Sequence, residues 1–189
     1  KIMFILAKHL KEQGELKDNM VVSTVMSNIG FYKAMEENGL QSVKTAVGDR
    51  YVVEEMRKND YSLGGEQSGH IVLMNYATTG DGILTAVKLS NIIKTSGKSL
   101  KELASEVSIY PQKLVNIKVV DKKTAMEDAE ILAECEKVEK ELEGNGRILL
   151  RASGTENLIR VMVEASSDEL TDKYCEQVAK IVREKFEVK

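Results

Sequence analysis

The sequence predicts an α/β protein in which an α/β/α-layered domain with a mixed sheet is followed by a smaller α+β domain, with two helices packed on a mainly antiparallel sheet. Two observations predict the first domain. Short apolar runs alternate with helical patterns up to residue 94, and one run, MVVSTVM at residues 20–26, has the composition of a strand buried on both faces. After Pro111 the order changes to strand, helix, strand, strand and helix, which predicts a second domain.

Apolar spacing, glycines and capping residues predict the elements of the first domain. Gly14 stops the opening helix, Asp81 is a natural N-cap, and Ser99 with Glu102 forms a capping box. The apolar face of the opening helix is predicted at Ile2, Ile5, Leu6, His9 and Leu10. The predicted order is helix 1–10, strand 20–26, a helix ending near 39, strand 42–47, helix 51–58, strand 61–63, strand 71–74, helix 82–94 and a short helix after 99.

The second domain is predicted from Pro111, the only proline in the chain, which disfavours helix at Tyr110. We expect a first domain at residues 1–106, a hinge at 107–113 and a second domain at 114–189 that rotates about this hinge. The predicted order after the hinge is strand 114–120, helix 124–143, strand 147–152, strand 158–165 and helix 168–186. Thr124 and Glu127 are expected to cap the first of these helices. The buried stripes of the two helices are predicted at Leu132, Cys135, Val138 and Leu142, and at Leu170, Tyr174, Val178 and Ile181.

Composition excludes several classes of function. The chain has 27 basic and 30 acidic residues and no cluster of lysine or arginine, so we expect no nucleic-acid partner. No apolar run approaches the roughly 20 residues that span a bilayer, so we expect no membrane partner and a cytoplasmic location. Cys135 and Cys175 lie in helical patterns without a nearby ligand set, so we expect reduced packing residues and no metal site. A chain that begins inside a helix is expected to be a fragment.

Three loops carry polar groups that suit a ligand. In residues 64–70, GGEQSGH, glycines allow close approach and a carboxylate can accept hydrogen bonds from sugar hydroxyls, although a plain hairpin explains the same residues. In residues 151–157, RASGTEN, a guanidinium, hydroxyls and backbone N–H groups are the donors that a phosphate needs, although a polar turn with an incidental arginine is the alternative. Residues 47–51, VGDRY, lie between a strand and a helix, where Asp49 is equally explained as an N-cap.

Other catalytic signatures are missing from the sequence. His70 beside the glycine loop and His9 on an apolar helix face are the two histidines, so no serine–histidine–acid set is indicated. The sequence also has no Walker-type glycine–lysine loop and no Asp-x-Asp-x-Asp cluster for Mg²⁺. The loops therefore indicate binding of a polyol and a phosphate without a phosphoryl-transfer centre.

Five motifs occur in the order found in the α-D-phosphohexomutases: TVMSN at 24–28, VGDRYV at 47–52, GGEQSGH at 64–70, TGDG at 79–82 and RASGTE at 151–156. On these motifs the chain resembles the third and fourth of the family's four domains, over essentially its whole length. Gln67 within GEQSGH resembles the branch that acts on a phosphorylated amino sugar. The family reaction exchanges a 6-phosphate and a 1-phosphate through a 1,6-bisphosphate, on the route to cell-wall precursors.

The resemblance implies three sets of site residues. The sugar-binding set is Glu66, Gln67, Ser68 and His70. The phosphate-binding set is Arg151, Ser153, Gly154 and Thr155. The site-lining set is Asp49, Arg50, Ser27 and Asn28, although a strand-to-helix turn also explains the last two.

The resemblance also implies what lies elsewhere. The phosphoserine and the Mg²⁺ loop of the family belong to its first two domains, so no catalytic residue, metal or cofactor is expected in this fragment. Mg²⁺ and glucose or glucosamine 1,6-bisphosphate are the implied cofactors of the full-length enzyme. The implied partners are a phosphorylated amino sugar and the missing first and second domains, and a homodimer of the full-length enzyme is left open.

Two departures flank the phosphate turn: Asn157 stands where the family usually has proline, and Ala152 where it often has proline or lysine. Without a fixed φ the turn is expected to be less preorganised. Two other functions compete with the mutase fragment. One is a stand-alone module that binds a sugar phosphate without chemistry, and the other is a structural interaction domain.

Overall fold

The computed structural model describes residues 1–188, and the chain divides into two units, Lys1–Ile109 and Tyr110–Lys189. The helices of the first unit are α1 (Ile2–Glu12), α2 (Ile29–Glu37), α3 (Asp49–Asn59), α4 (Gly82–Ser96) and α5 (Leu100–Leu103). Its strands are β1 (Met20–Thr24), β2 (Gln41–Thr45), β3 (Leu63–Gly65) and β4 (Ile71–Leu73). The second unit contains β5 (Gln112–Lys118), α6 (Lys122–Met126), α7 (Ala129–Glu141), β6 (Arg147–Ala152), β7 (Leu158–Glu164) and α8 (Asp168–Phe186).

The sheet of the first unit is mixed, as the sequence predicts. Its strand order is β2-β1-β3-β4. Strand β1 runs parallel to β2 and to β3, whereas β3 and β4 form an antiparallel hairpin. Parallel neighbours need helical crossovers, and these are supplied by α2 and α3.

Helices cover both faces of this sheet, because successive residues of each strand point to opposite sides. On one face Val21 and Leu63 pack in a core with Phe4 of α1. On the other face Val22 packs against α3 through Val52, within a separate cluster. The predicted α/β/α layering is confirmed.

Two glycines of β3 allow the helices to approach the sheet closely. A Cβ built on Gly64 would lie 2.5 Å from Met56 Sδ and 2.7 Å from Val52 Cγ1, both on α3. A Cβ on Gly65 would lie 2.9 Å from Met3 Sδ of α1, on the opposite face. At these two positions β3 has no side chain on either face of the sheet, and α3 and α1 occupy the space that side chains would fill.

The sheet of the second unit has the order β5-β7-β6, with both pairs antiparallel. One face carries Ile117, Ile159 and Val161, which share a core with Val138 of α7 and Val178 of α8. The predicted α+β layer, with two long helices on an antiparallel sheet, is confirmed.

A buried ion pair closes one end of this sheet. Glu164 is fully buried, and its carboxylate accepts a 2.8 Å hydrogen bond from Arg147 Nε and a 3.0 Å bond from Gln112 Nε2. The three residues form one row across β5, β7 and β6. Removing one partner of such a pair leaves a buried polar group unsatisfied, so the row fixes how the three strands align.

Both cysteines are free thiols, as predicted. Cys175 is buried in the core of the second unit, and its Sγ lies 3.5 Å from the carbonyl oxygen of Val161. Burial raises the pKa of the Cys135 and Cys175 thiols to about 11.

The single helix predicted at residues 124–143 is wrong, because two aspartates start two helices. Asp121 accepts from the backbone N–H groups of Lys123 and Thr124, and starts α6. Asp128 accepts from those of Glu130 and Ile131, and starts α7. Thr124 instead lies inside α6, where its hydroxyl bonds to the Asp121 carboxylate, so the predicted capping box does not form.

The new start changes which residues of α7 face the core. Ile131 is fully buried, whereas Leu132 is 43% exposed, so the stripe begins one residue earlier than predicted. The later members Val138 and Leu142 are buried as expected. In α8, Tyr174 and Val178 are buried, but Val182 occupies the core position predicted for Ile181, which is only partly buried.

Smaller differences concern element ends. Strand β1 ends at Thr24 instead of Met26, and Ile2 of α1 is 39% exposed instead of facing the core. Asp49 is not an N-cap, since the N-cap of α3 is Gly48 and it makes no side-chain cap. Asp81 and the Ser99–Glu102 capping box start α4 and α5 as predicted. Within the described residues, no helix is both long enough and apolar enough to cross a membrane.

The division between the two units falls between Ile109 and Tyr110. Val107 is buried in the core of the first unit, and Gln112 and Lys113 pair with β7. The hinge at residues 107–113, and rotation about it, stay predictions.

The Gly64→Ala substitution should destabilise the chain by about 1–3 kcal/mol, because the added methyl group overpacks the contact with Met56 and Val52. Urea unfolding followed by circular dichroism measures the change. Gly82→Ala is the control, since its added Cβ meets no atom within 4 Å. Equal stability of the two variants would contradict the close approach of α3 to β3.

Candidate functional site

Three loops of the first unit meet at one edge of its sheet. Because β1, β2 and β3 are parallel, their carboxyl ends lie on the same side, and ligands of such sheets bind there. The loops begin after Thr24, Thr45 and Gly65. They contain most of the residues that the sequence assigns to sugar binding and site lining.

Glu66 links two of these loops. The backbone N–H of Gly48 donates to Glu66 Oε1 at 3.0 Å. The loop after β3 is itself closed by hydrogen bonds from Glu66 N to His70 O at 2.8 Å and from Gly69 N to Glu66 O at 3.1 Å. Gly69 has a φ of 99°, which favours glycine. The backbone of residues 64–70 thus forms the plain hairpin that the sequence offered as the alternative to a ligand-binding loop. The carboxylate of Glu66, however, points toward the loop after β2.

His70 lies beside two other loops. Its Nε2 is 3.5 Å from Asp49 Oδ2 at the start of α3. Gly80 packs directly against the imidazole ring, where a Cβ would overlap ring atoms. The histidine and the aspartate are both partly exposed, so their polar atoms remain accessible to a ligand.

Gln67 connects the glycine loop to the end of β1. The buried hydroxyl of Thr24 donates to Gln67 Oε1 at 3.3 Å. Ser68 follows on the exposed part of the loop. The sugar-binding set predicted from sequence is therefore brought together on one short hairpin.

The site-lining set is only partly assembled. Asp49 joins His70, whereas the Arg50 side chain is 78% exposed and pairs with Glu54 at 2.8 Å along α3. Asn28 caps α2, with its Oδ1 accepting from Gly30 N at 3.0 Å, which supports the turn interpretation of this residue. Ser27 is buried just after β1.

The candidate phosphate site is the turn between β6 and β7 of the second unit. Ser153 is buried, its N–H donates to Leu158 O at 2.9 Å, and its Oγ accepts from Glu156 N at 3.4 Å. Gly154 and Thr155 are exposed at the tip. Lys122 Nζ donates to Ser153 O at 2.9 Å, which brings an additional cation to the turn.

Two arginines lie side by side below this turn. Arg151 of β6 and Arg160 of β7 are directly paired in the antiparallel register. The Nε atom of each is buried and has no hydrogen-bond partner among the described residues. The pKa of the Arg151 guanidinium lies below its ordinary value, because of burial first and of the Arg160 charge second.

This arrangement is suited to an anion. Like charges directly opposite each other on a sheet destabilise it, and unpaired buried donors add a further cost. The nearest carboxylate oxygen, Glu156 Oε2, is 3.9 Å from Arg160 Nη2. A phosphate bound at the turn could accept hydrogen bonds from both guanidiniums and screen their repulsion.

Arg160 and Lys122 were not among the predicted site residues. Arg160 could have been found from the hairpin alone, because an antiparallel connection across residues 153–158 places it opposite Arg151. Lys122 reaches the turn because α6 begins beside it, and no pattern in the sequence indicates this proximity.

Metal ligands are not gathered in this part of the protein. Residues 1–188 contain no group of three or more histidine, cysteine, aspartate or glutamate side chains that could hold a metal ion. The donors described above suit hydroxyl and phosphate ligands better than a divalent cation.

Family comparisons cover both units. Residues 1–110 match the family described as "Phosphoglucomutase/phosphomannomutase, alpha/beta/alpha domain III". Residues 114–181 match "Phosphoglucomutase/phosphomannomutase, C-terminal domain".

Curated relatives are similar over nearly the whole chain. Phosphoglucosamine mutase of Anoxybacillus flavithermus is 61% identical over 98% of this chain, which corresponds to 41% of the relative. Phosphoglucosamine mutase of Leuconostoc mesenteroides is 61% identical over 98% of this chain and 41% of the relative. That of Geobacillus kaustophilus is 58% identical over 99% of this chain and 42% of the relative. The chain therefore spans about two fifths of the length of these relatives.

Solved structures share the fold at low sequence identity. N-acetylphosphoglucosamine mutase of Aspergillus fumigatus matches with a TM-score of 0.83 and 20% identity, over 97% of this chain and 42% of that one. A structure of the same Aspergillus enzyme in complex with GlcNAc-6P and magnesium matches with a TM-score of 0.81 and 21% identity, over 96% and 46%.

Inorganic phosphate should stabilise this chain by binding to the arginine pair. At tenfold its Kd, phosphate would contribute about 1.4 kcal/mol, or a rise in Tm of about 3–6 °C. Arg160→Gln should lose most of this rise while keeping the stability of the phosphate-free chain, because the substitution removes one of two opposed charges. Differential scanning calorimetry measures both quantities.

Arg57→Gln is the matched control, since Arg57 is an exposed residue of α3. The control variant should keep the full response to phosphate. A response that is the same in Arg160→Gln and the parent chain would exclude Arg160 from the anion site.

Proposed function

The chain belongs to the phosphoglucomutase/phosphomannomutase family of α-D-phosphohexomutases, and we propose that it is the substrate-binding part of a phosphoglucosamine mutase. The complete protein would interconvert glucosamine 6-phosphate and glucosamine 1-phosphate through a 1,6-bisphosphate. The chain would supply the family's domain III and C-terminal domain to this reaction.

The glycine hairpin is the observation that carries the proposal. Glu66, Gln67, Ser68 and His70 offer a carboxylate, an amide, a hydroxyl and an imidazole at the carboxyl edge of a parallel sheet. Glu66 is held by Gly48, and Gln67 by Thr24, so two of these groups are oriented before a ligand binds. Preorganised, alternating donors and acceptors are what recognition of a polyol requires.

The phosphate turn would hold the phosphate that is not being transferred. Ser153, Gly154 and Thr155 belong to this turn, Arg151 lies beside it at the end of β6, and Arg160 and Lys122 add charge to it. Holding the substrate electrostatically is the main contribution a protein makes to phosphoryl transfer, since the reaction depends on position and charge stabilisation. In a mutase the same turn must accept either phosphate of the bisphosphate in succession.

The metal-dependent step would belong to another part of the protein. Magnesium and glucose 1,6-bisphosphate are named in structures of the Aspergillus fumigatus enzyme. Residues 1–188 of this chain contain no group of three or more candidate metal ligands. The phosphate turn does fit a sugar bisphosphate, and the chain would need the first and second domains as its partners. We place the reaction in the cytoplasm.

The purified 189-residue chain should not interconvert the two glucosamine phosphates, because it supplies substrate contacts but no phosphoryl donor. A coupled assay with glucosamine 6-phosphate and catalytic glucosamine 1,6-bisphosphate measures turnover, with a complete phosphoglucosamine mutase as the positive control. Steady turnover by the chain alone would overturn the assignment of chemistry to the other domains. If the native reading frame encodes no further domains, the stand-alone binding module becomes the better interpretation.

In the complete enzyme, Glu66→Ala and Ser68→Ala should each lower kcat/KM. The expected loss of transition-state stabilisation is about 1–3 kcal/mol for each variant, because hydrogen bonds to sugar hydroxyls are removed. Steady-state kinetics with glucosamine 6-phosphate measures the loss. Glu55→Ala, on α3 away from the hairpin, is the control and should keep parental kinetics. Parental kinetics in both hairpin variants would leave residues 64–70 as a structural turn.

A further inference from the structure

The hydroxyl of Thr24 has a constrained set of hydrogen bonds. Thr24 is the last residue of β1, and its side chain is fully buried. Its Oγ1 accepts a 3.4 Å hydrogen bond from the N–H of Met26 and lies 3.3 Å from Gln67 Oε1. A hydroxyl has a single proton, and leaving that proton unpaired in a buried position is costly. The proton of Thr24 is therefore directed at Gln67.

This donation determines the orientation of the Gln67 amide. Only the carbonyl end of a glutamine side chain accepts a hydrogen bond, so Oε1 must face Thr24 and the NH₂ group must face away. Gln67 is exposed on the loop, and its Nε2 has no hydrogen-bond partner within residues 1–188. The loop therefore presents two N–H donors at a fixed position.

We propose that Thr24 is a positioning residue for substrate specificity, which holds the Gln67 amide as a donor toward a hydroxyl oxygen of the sugar. The inference rests on the proposed function and names a contact of that same site. An ammonium group has no lone pair to offer this donor. The amino group of the substrate must therefore be bound elsewhere than at Gln67.

The neighbouring carboxylate strengthens the inference. Glu66 Oε1 is occupied by the N–H of Gly48, and its other oxygen can accept from the ligand. A carboxylate and an amide NH₂ on successive residues form an acceptor next to a donor. Adjacent sugar hydroxyls, each of which both donates and accepts, satisfy such a pair, whereas a cation would satisfy only Glu66.

Thr24→Val in the complete enzyme tests the positioning role, because valine keeps the shape of the side chain and suits a strand. We expect kcat/KM for glucosamine 6-phosphate to fall about tenfold, mainly through KM, as one correctly oriented hydrogen bond is lost. Thr24→Ser restores the hydroxyl and should stay within about twofold of the parent enzyme. Failure of serine to rescue the loss would overturn the proposal.

Thr45→Val is the matched control for removing a threonine hydroxyl from the end of a strand. Thr45 is the register partner of Thr24 on β2, but its hydroxyl lies 3.2 Å from the main-chain oxygen of Ser23 and 3.0 Å from that of Ala46, and donates its one proton to the main chain instead of to Gln67. This variant should keep parental kinetics. An equal loss in Thr45→Val and Thr24→Val would mean that the effect is structural, and the proposal would be wrong.

A double-mutant cycle with Gln67→Glu connects the two residues, because glutamate keeps the size of glutamine but has no donor when ionised. When Gln67 has already been replaced by glutamate, adding Thr24→Val should lower kcat/KM by less than about twofold further, since there is no amide left to orient. Independent, additive losses would overturn the proposal. Thermal unfolding of each variant shows whether the fold is retained.

The orientation can also be measured without catalysis. In the 189-residue chain, the side-chain amide resonances of Gln67 should shift in Thr24→Val and remain unchanged in Thr45→Val. If this pattern is found but the complete protein does not act on glucosamine phosphates, the proposed function fails and the orientation stands. If the resonances do not respond to Thr24→Val, the positioning role fails whatever the substrate.

Discussion

Because β1 runs parallel to both β2 and β3, the loops after these three strands must emerge at the same edge of the sheet. This pairing brings Thr24 within hydrogen-bonding distance of Gln67, and Gly48 within hydrogen-bonding distance of Glu66. The short hairpin after β3 then closes the group. Close packing of α3 and α1 onto Gly64 and Gly65 holds that hairpin in place from both faces. The candidate sugar site is thus a consequence of strand direction and of the two glycines in β3.

In the second unit, the antiparallel register determines which charged residues lie next to each other. Its register places charged residues in rows across the sheet, and the two rows described above behave differently. At one end Arg147 is neutralised by the buried Glu164. Toward the other end Arg151 faces Arg160, a second cation. A sheet that pairs its charges in one row and opposes them in another keeps a positive potential only where the turn can use it.

Much of the fold could be predicted because local signals agreed with the tertiary structure. Strand β6 and helix α8 have the predicted bounds, since the apolar run of β6 and the helical spacing of α8 are unbroken there. The break between α6 and α7 is not predicted, because Asp128 is one of many acidic residues in this stretch and nothing in the pattern distinguishes it as the residue whose carboxylate caps a helix. Arg160 was missed because its role depends on a partner across the sheet. Side chains on the glycine hairpin were identified from their motif, but their links to Thr24 and Gly48 require the strand order.

The two thiols have a practical consequence for spectroscopy. With a pKa of about 11, each thiol is almost entirely protonated at neutral pH, and alkylating reagents attack only the thiolate. Cys135 and Cys175 should therefore react slowly in the folded chain. A cysteine introduced on an exposed helix of either unit would outcompete them for a maleimide dye. Pairs of fluorophores could be attached without first replacing the native residues, so the packing of Cys175 in its core need not be disturbed.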